Sequence, residues 1–126
     1  MANVVPVGSC RVLVVDDEPM IAKSIRRAFP NAEVVAAHTG AQGIAQLQAD
    51  SEFQLILCDL MLPDMTGKGV YAAIQERCAD TAQSIVFMTG GSFLVELNEF
   101  LSTIPNRCLK KPFALDELKK LLPALD

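Results

Sequence analysis

Five short apolar runs alternate along this chain with stretches whose apolar residues recur at helical spacing, and no other feature limits its fold so strongly. The third run, Phe53 to Cys58, is apolar almost throughout and closes on Asp59. A run of that kind reads as a strand buried on both faces, as strands are in parallel sheets covered by helices. The Pro63-Asp64-Met65-Thr66-Gly67 loop follows at once. Asp59 therefore stands at the carboxyl end of a strand, outside which open parallel sheets bind their ligands.

The other runs fall into the same rhythm. Arg11 to Val15 is a first strand, ending in Asp16-Asp17-Glu18-Pro19. Pro19 suits the first turn of a helix, with acids at its positive end. Met20, Ile21, Ser24, Ile25, Ala28 and Phe29 carry that helix to Pro30. Glu33 to Ala37 is a second strand, and Thr39-Gly40 opens a helix running to Asp50. Phe53 to Asp59 is the third strand, and Val70, Ala73, Ile74 and Cys78 mark the helix after it. Ser84 to Met88 is a fourth strand, ending in Thr89-Gly90-Gly91, and Phe93 to Ile104 forms a fourth helical stripe. Arg107 to Leu109 is the fifth strand, leading into Lys110-Lys111-Pro112-Phe113, and Leu115, Leu118, Leu121 and Leu122 form the last stripe.

Strict strand–helix alternation implies parallel strands joined by right-handed crossovers. In 126 residues it predicts one α/β domain, a flavodoxin-like doubly wound five-stranded parallel sheet, (βα)5, with strand order 2-1-3-4-5. An eight-unit barrel needs about twice that length. Residues 1–9, with Pro6 and Gly8 and no periodicity, are expected to be a poorly ordered leader to a domain over 10–126.

Composition closes off several function classes. A net charge of −4 argues against a nucleic-acid surface, which needs clustered cations. No apolar run approaches the roughly 20 residues that span a bilayer, so no membrane partner is expected. Cys10, Cys58, Cys78 and Cys108 show no C-x-x-C spacing, and with the single His38 they make no zinc set. They read as buried, reduced thiols of a cytoplasmic protein. His38 reads as a surface or packing residue, and Met20, Met61, Met65 and Met88 as core and loop packing.

The predicted strand order brings Asp16 and Asp17, Asp59, Thr89 and Lys111 to one edge. Clustered carboxylates repel unless a cation neutralises them. Hard oxygen donors with room for water suit magnesium. A carboxylate beside a cation, an ammonium and a hydroxyl can accept a phosphoryl group, giving an aspartyl phosphate.

Those residues resemble the receiver (response regulatory) domain of two-component signalling, over roughly Cys10 to Leu122. The landmarks are Val15-Asp16-Asp17, then Asp59 followed by Pro63, Asp64 and Gly67, then Thr89-Gly90, and Lys111-Pro112-Phe113. The resemblance implies that Asp59 is the phosphoacceptor, loaded from a histidine kinase, a histidine phosphotransfer domain or a small phosphodonor. It implies Mg2+, with Mn2+ as a substitute, held by Asp16, Asp17, Asp59 and the Met61 carbonyl. Thr89 would hydrogen-bond the phosphoryl group and Lys111 would pair with it, across a cis Lys111-Pro112 bond. Phosphorylation would shift the surface made by the fourth helix, fifth strand and last helix, with Thr89 and Cys108 as switch positions. Phe87 to Gly91 and Asn106 to Phe113 look most like receivers attached to hybrid sensor histidine kinases.

Two departures carry consequences. Cys108 stands where the family usually has Tyr or Phe, so that aromatic reporter is absent. Met61 and Gly91, two residues after Asp59 and Thr89, cannot orient an attacking water, so self-dephosphorylation is expected to be unassisted from either. The competing reading is a phosphorylation-independent binding module, favoured only by Cys108. A phosphatase similar to the haloacid dehalogenases needs a second acid where Met61 stands. A flavin carrier needs a Ser/Thr/Gly-rich cradle after the first strand, where this chain is acidic. With no basic helix and no DNA-binding segment after Asp126, output is expected through another protein or a domain outside this chain.

Overall fold

The computed structural model describes residues 10–50, 52–90 and 95–122. The leader over 1–9, Gly91, and the Phe93-Leu94 start of the fourth helical stripe lie outside them. Within them stand β1 (Arg11–Val15), α1 (Pro19–Ala28), β2 (Glu33–Ala37), α2 (Gly40–Ala49), β3 (Leu55–Asp59), α3 (Gly67–Arg77), α4 (Ala79–Ser84), β4 (Ile85–Thr89), α5 (Val95–Ser102), β5 (Cys108–Lys110) and α6 (Leu115–Lys119). All strands pair in parallel, in the order β2-β1-β3-β4-β5. The doubly wound sheet expected from the strand–helix rhythm is the one observed.

Side-chain parity divides the core into two layers. Val12 and Val14, Leu55 and Leu57, and Val86 and Met88 face one way, against Ile25, Ala28 and Phe29 around α1 and Leu118 of α6. Leu13 and Val15, Ile56 and Cys58, and Ile85 and Phe87 face the other way, against Leu47 of α2, Val70 and Ile74 of α3 and Phe100 of α5. β1, β3 and β4 thus need apolar residues at consecutive positions, which is why each reads as an unbroken run. At the centre Phe87 is fully buried, with the Phe100 ring edge-on at 5.7 Å and Tyr71 tilted at 6.4 Å.

Several boundaries differ from expectation. β3 starts at Leu55 rather than Phe53, because its pairing with β1 begins at Leu55 opposite Val12; Phe53, just before it, lies under the Arg11 guanidinium, 4.4 Å from its ring centre. β5 is shifted by one, to Cys108–Lys110, since Lys110 pairs with Thr89. β4 begins at Ile85, because Ser84 ends a helix absent from the sequence reading, α4. The thiols are free, yet only Cys10 and Cys58 are buried; Cys78 and Cys108 are exposed. Of the methionines, Met88 is fully buried, whereas Met20 (62%), in the first turn of α1, and Met61 (49%), in the loop after β3, are open to solvent and not packing residues. His38 is exposed, as expected.

Candidate functional site

Register carries the functional side chains to one place. Val15 pairs with Cys58, so Asp16 and Asp59, each one residue further on, leave the sheet side by side. Asp59 lies opposite Met88, and Thr89 opposite Lys110, which places Lys111 one step beyond Thr89. The backbone secures the edge: Leu60 N–H donates to Met88 O at 3.0 Å, and Lys111 N–H to Thr89 O at 2.7 Å. The Lys111-Pro112 bond is cis.

Asp16, Asp17 and Asp59 each offer a carboxylate oxygen, all within 4.8 Å of one another. Asp16 and Asp59 are buried and Asp17 is exposed, so the cluster is open on one side. Lys111 Nζ donates to Asp16 Oδ2 at 2.6 Å and to Asp59 Oδ2 at 3.2 Å. Burial pushes the Asp59 carboxyl above the usual carboxylate range; the Lys111 charge and the Met61 N–H, 3.3 Å from Oδ1, offset part of that, and Asp16 adds to it. Burial also works against the Lys111 charge, but its hydrogen bond to Asp16 and the charges of Asp59 and Asp16 outweigh this, holding the ammonium above the ordinary lysine value. Beneath them the Cys58 thiol is pushed far up by burial, then by Asp59 and Asp16, and stays protonated.

The donor set fits magnesium: hard carboxylate oxygens on three neighbouring positions, partly open to water, with no thiolate or imidazole among them. The loop after β3 is closed by Leu62 N–H to Met65 O (3.1 Å) and Gly67 N–H to Leu60 O (2.8 Å). Among the described residues, none of these loop bonds takes the Met61 carbonyl. Thr89 is buried at 5% on the strand between Asp59 and Lys111. Cys108 lies on β5 opposite Phe87 and exposed, away from the cluster's hydrogen bonds. Lys110 is exposed, so Lys111 is the inward lysine of the pair.

Two contributors escaped the sequence reading. Glu18 Oε1 is a third partner of Lys111 Nζ, at 3.2 Å. Asp64, expected only to shape its own turn, accepts from Gly40 N–H at 2.8 Å and Ala41 N–H at 3.0 Å, and so caps α2 across 24 residues. For Glu18 the signal was present as a third acid beside Asp16-Asp17; for Asp64 it was not, because the cap joins separate elements.

A two-faced parallel sheet with an acidic crevice and one inward lysine at its carboxyl edge defines a class of α/β signalling domain. The chain belongs to the response regulator receiver domain family, whose model matches residues 12–123. It is 31% identical over 117 residues to the transcriptional regulatory protein TrcR of Mycobacterium tuberculosis, covering 91% of this chain and 44% of that protein. It is 32% identical over 119 residues to the response regulator MprA of the same organism, covering 93% and 50%. The chain thus spans about half the length of these curated relatives or less. Among solved structures it is similar to the signal receiver domain of a putative Luxo repressor protein from Vibrio parahaemolyticus, with TM-score 0.74, 30% identity, and coverage of 91% and 88%. It also shares the fold of a response regulator receiver domain protein from Clostridium thermocellum, with TM-score 0.76, 18% identity, and coverage of 92% and 93%. It is accordingly a signalling domain rather than a metabolic enzyme. Among the described residues, no helix is long and apolar enough to cross a membrane.

Proposed function

We propose that Asp59 is the phosphoacceptor of a cytoplasmic two-component switch, loaded from the phosphohistidine of a histidine kinase or histidine phosphotransfer domain, or from a small phosphodonor. The observation that carries this reading is the pairing of a buried Asp59 with Lys111 at 3.2 Å, inside a cluster whose other acids are Asp16 and Asp17. A carboxylate oxygen of Asp59 attacks phosphorus and forms the O–P bond as the P–N bond breaks. The electron pair of that bond stays with the imidazole nitrogen, which takes a proton from solvent. Lys111 passes from Asp59 to the phosphoryl oxygens and spreads their charge, and the Thr89 hydroxyl supplies a further donor.

Asp16, Asp17, Asp59 and the Met61 carbonyl would hold Mg2+, or Mn2+ in its place. When bound, the cation neutralises charge on the clustered carboxylates and on the transferring group. The only reactions on this reading are loading and unloading of Asp59. Unloading is not assisted from position 61, because Met61 is an exposed thioether that orients no water. A phosphoryl on Asp59 changes what Lys111 and Thr89 bind, and β4 and β5 carry that change toward α5, β5 and α6, with Thr89 and Cys108 at the switch positions. The effector that reads this surface is a protein partner or a neighbouring domain.

The test is incubation with acetyl phosphate and magnesium, read by intact mass. The wild type gains one phosphoryl, and Asp59→Asn gains none. An equal gain in both would remove Asp59 from the role.

A further inference from the structure

An ammonium has three N–H donors, and Lys111 finds three carboxylates for them: Asp16 at 2.6 Å, Asp59 at 3.2 Å and Glu18 at 3.2 Å. The first two are nearly enclosed, their side chains 1% and 10% exposed, whereas the Glu18 side chain is 62% exposed. Glu18 therefore reaches Lys111 from the solvent side, from the loop after β1 to the loop after β5. Its backbone is held in place: its N–H donates to Asp16 Oδ1 at 2.9 Å, and Pro19 follows as the first residue of α1. Its carboxylate makes no capping bond to that helix. Among the described residues, Lys111 is its only side-chain partner.

We infer that Glu18 is a positioning residue that gates the phosphoacceptor: it occupies the outer N–H of Lys111 at rest and yields it before Asp59 is loaded. The inference rests on the reading of Asp59 as acceptor. An incoming phosphodonor is anionic and needs the same N–H groups. Glu18 opposes it twice, by holding the donor group and by like charge at the mouth. The tie is an exposed ion pair and therefore weak, so the gate slows loading without blocking it. A long carboxylate is needed, because a side chain shorter by one methylene from the same fixed backbone falls short of Lys111.

That length requirement separates the tie from mere charge. In the full chain with magnesium and limiting acetyl phosphate, intact mass should show Glu18→Ala and Glu18→Asp loading about two- to fivefold faster than wild type, the scale an exposed ion pair commands. Beryllofluoride, which binds as a phosphoryl stand-in without turnover, should half-saturate both variants at a concentration lower by a similar factor. Faster loading of Glu18→Ala with Glu18→Asp at the wild-type rate would assign the effect to loop charge and overturn the tie. Equal rates in all three proteins would overturn the gate and leave the Asp59 reading standing. A wild type that takes no phosphoryl at all would overturn both.

Discussion

Asp64 shows how one side chain can serve a site it does not enter. Its two oxygens take the first N–H groups of α2, Gly40 and Ala41, and so join the loop after β3 to the helix after β2. Those hydrogen bonds, Ala41 foremost, hold its carboxyl below the usual carboxylate range. A depressed folded value means stability that is fully present above the unfolded value, about 3.9, and lost as pH falls through the folded one. Asp64→Ala should therefore lower the melting temperature at pH 7 by roughly 5 °C, the effect of one lost helix cap in a domain of this size. The gap between variant and wild type should stay constant from neutral pH to about pH 4 and close below that. Melting curves across pH decide it, and a gap that persists at pH 2 would show that the contact is not one of charge. The sequence marked Asp64 as a turn former but not as a cap, because local patterns do not reveal a bond between elements 24 residues apart. Glu18 stood in view as the acid after Asp16-Asp17, but its partner Lys111, 93 residues on, did not follow from that local pattern.

At the scale of elements, burial decides what can be read in advance. β1, β3 and β4 were legible because both their faces are covered, so neighbouring positions must all be apolar. Once those strands are ordered in a parallel sheet, Asp16, Asp59 and Thr89 fall at its carboxyl edge. α4 was not legible: Ala-Asp-Thr-Ala-Gln-Ser buries only Ala82, and six residues cannot display a helical stripe. Exposed Cys78 and Cys108 were misjudged because Cys78 continues the helical spacing of Val70, Ala73 and Ile74 and Cys108 lies within a short strand, and neither pattern reveals which way the side chain points at an element's end. The approach of α2 to the sheet was equally hidden in composition. A Cβ on Gly43 would lie 2.7 Å from Val15 Cγ2 and 2.9 Å from Cγ1, against a strand that cannot retreat. Gly43→Ala gains about 1 kcal/mol in helix propensity. Overpacking at a fully buried branched side chain costs about 1–3 kcal/mol. The net expected in urea unfolding is a loss of up to about 2 kcal/mol. A stabilised variant would mean that α2 can slide outward at no cost.

Across the whole molecule, the acids and the lysine come from β1, β3 and the end of β5, so the site exists only when the sheet is assembled. A ligand that binds only the folded state stabilises the entire domain. Magnesium at about ten times its dissociation constant should add roughly 1.4 kcal/mol to unfolding, and Asp17→Asn should lose most of that gain. Lys111 sharpens the test because it already neutralises Asp16 and Asp59, whose side chains are 1% and 10% exposed. Removing one partner of a buried ion pair costs about 3–5 kcal/mol; the open side toward Asp17 and Glu18 lets water screen this site and reduces the cost to about 1–2 kcal/mol. Lys111→Met should therefore be less stable than wild type without magnesium. It should also recover more stability than wild type when magnesium is added, since among the described residues Lys111 is the one cation paired with these acids, and the metal then takes over its role. Urea unfolding with and without the metal distinguishes the cases. If magnesium stabilises wild type and Lys111→Met by the same amount, lysine and cation do not neutralise the same carboxylates, and the coupling described for this edge of the sheet is wrong.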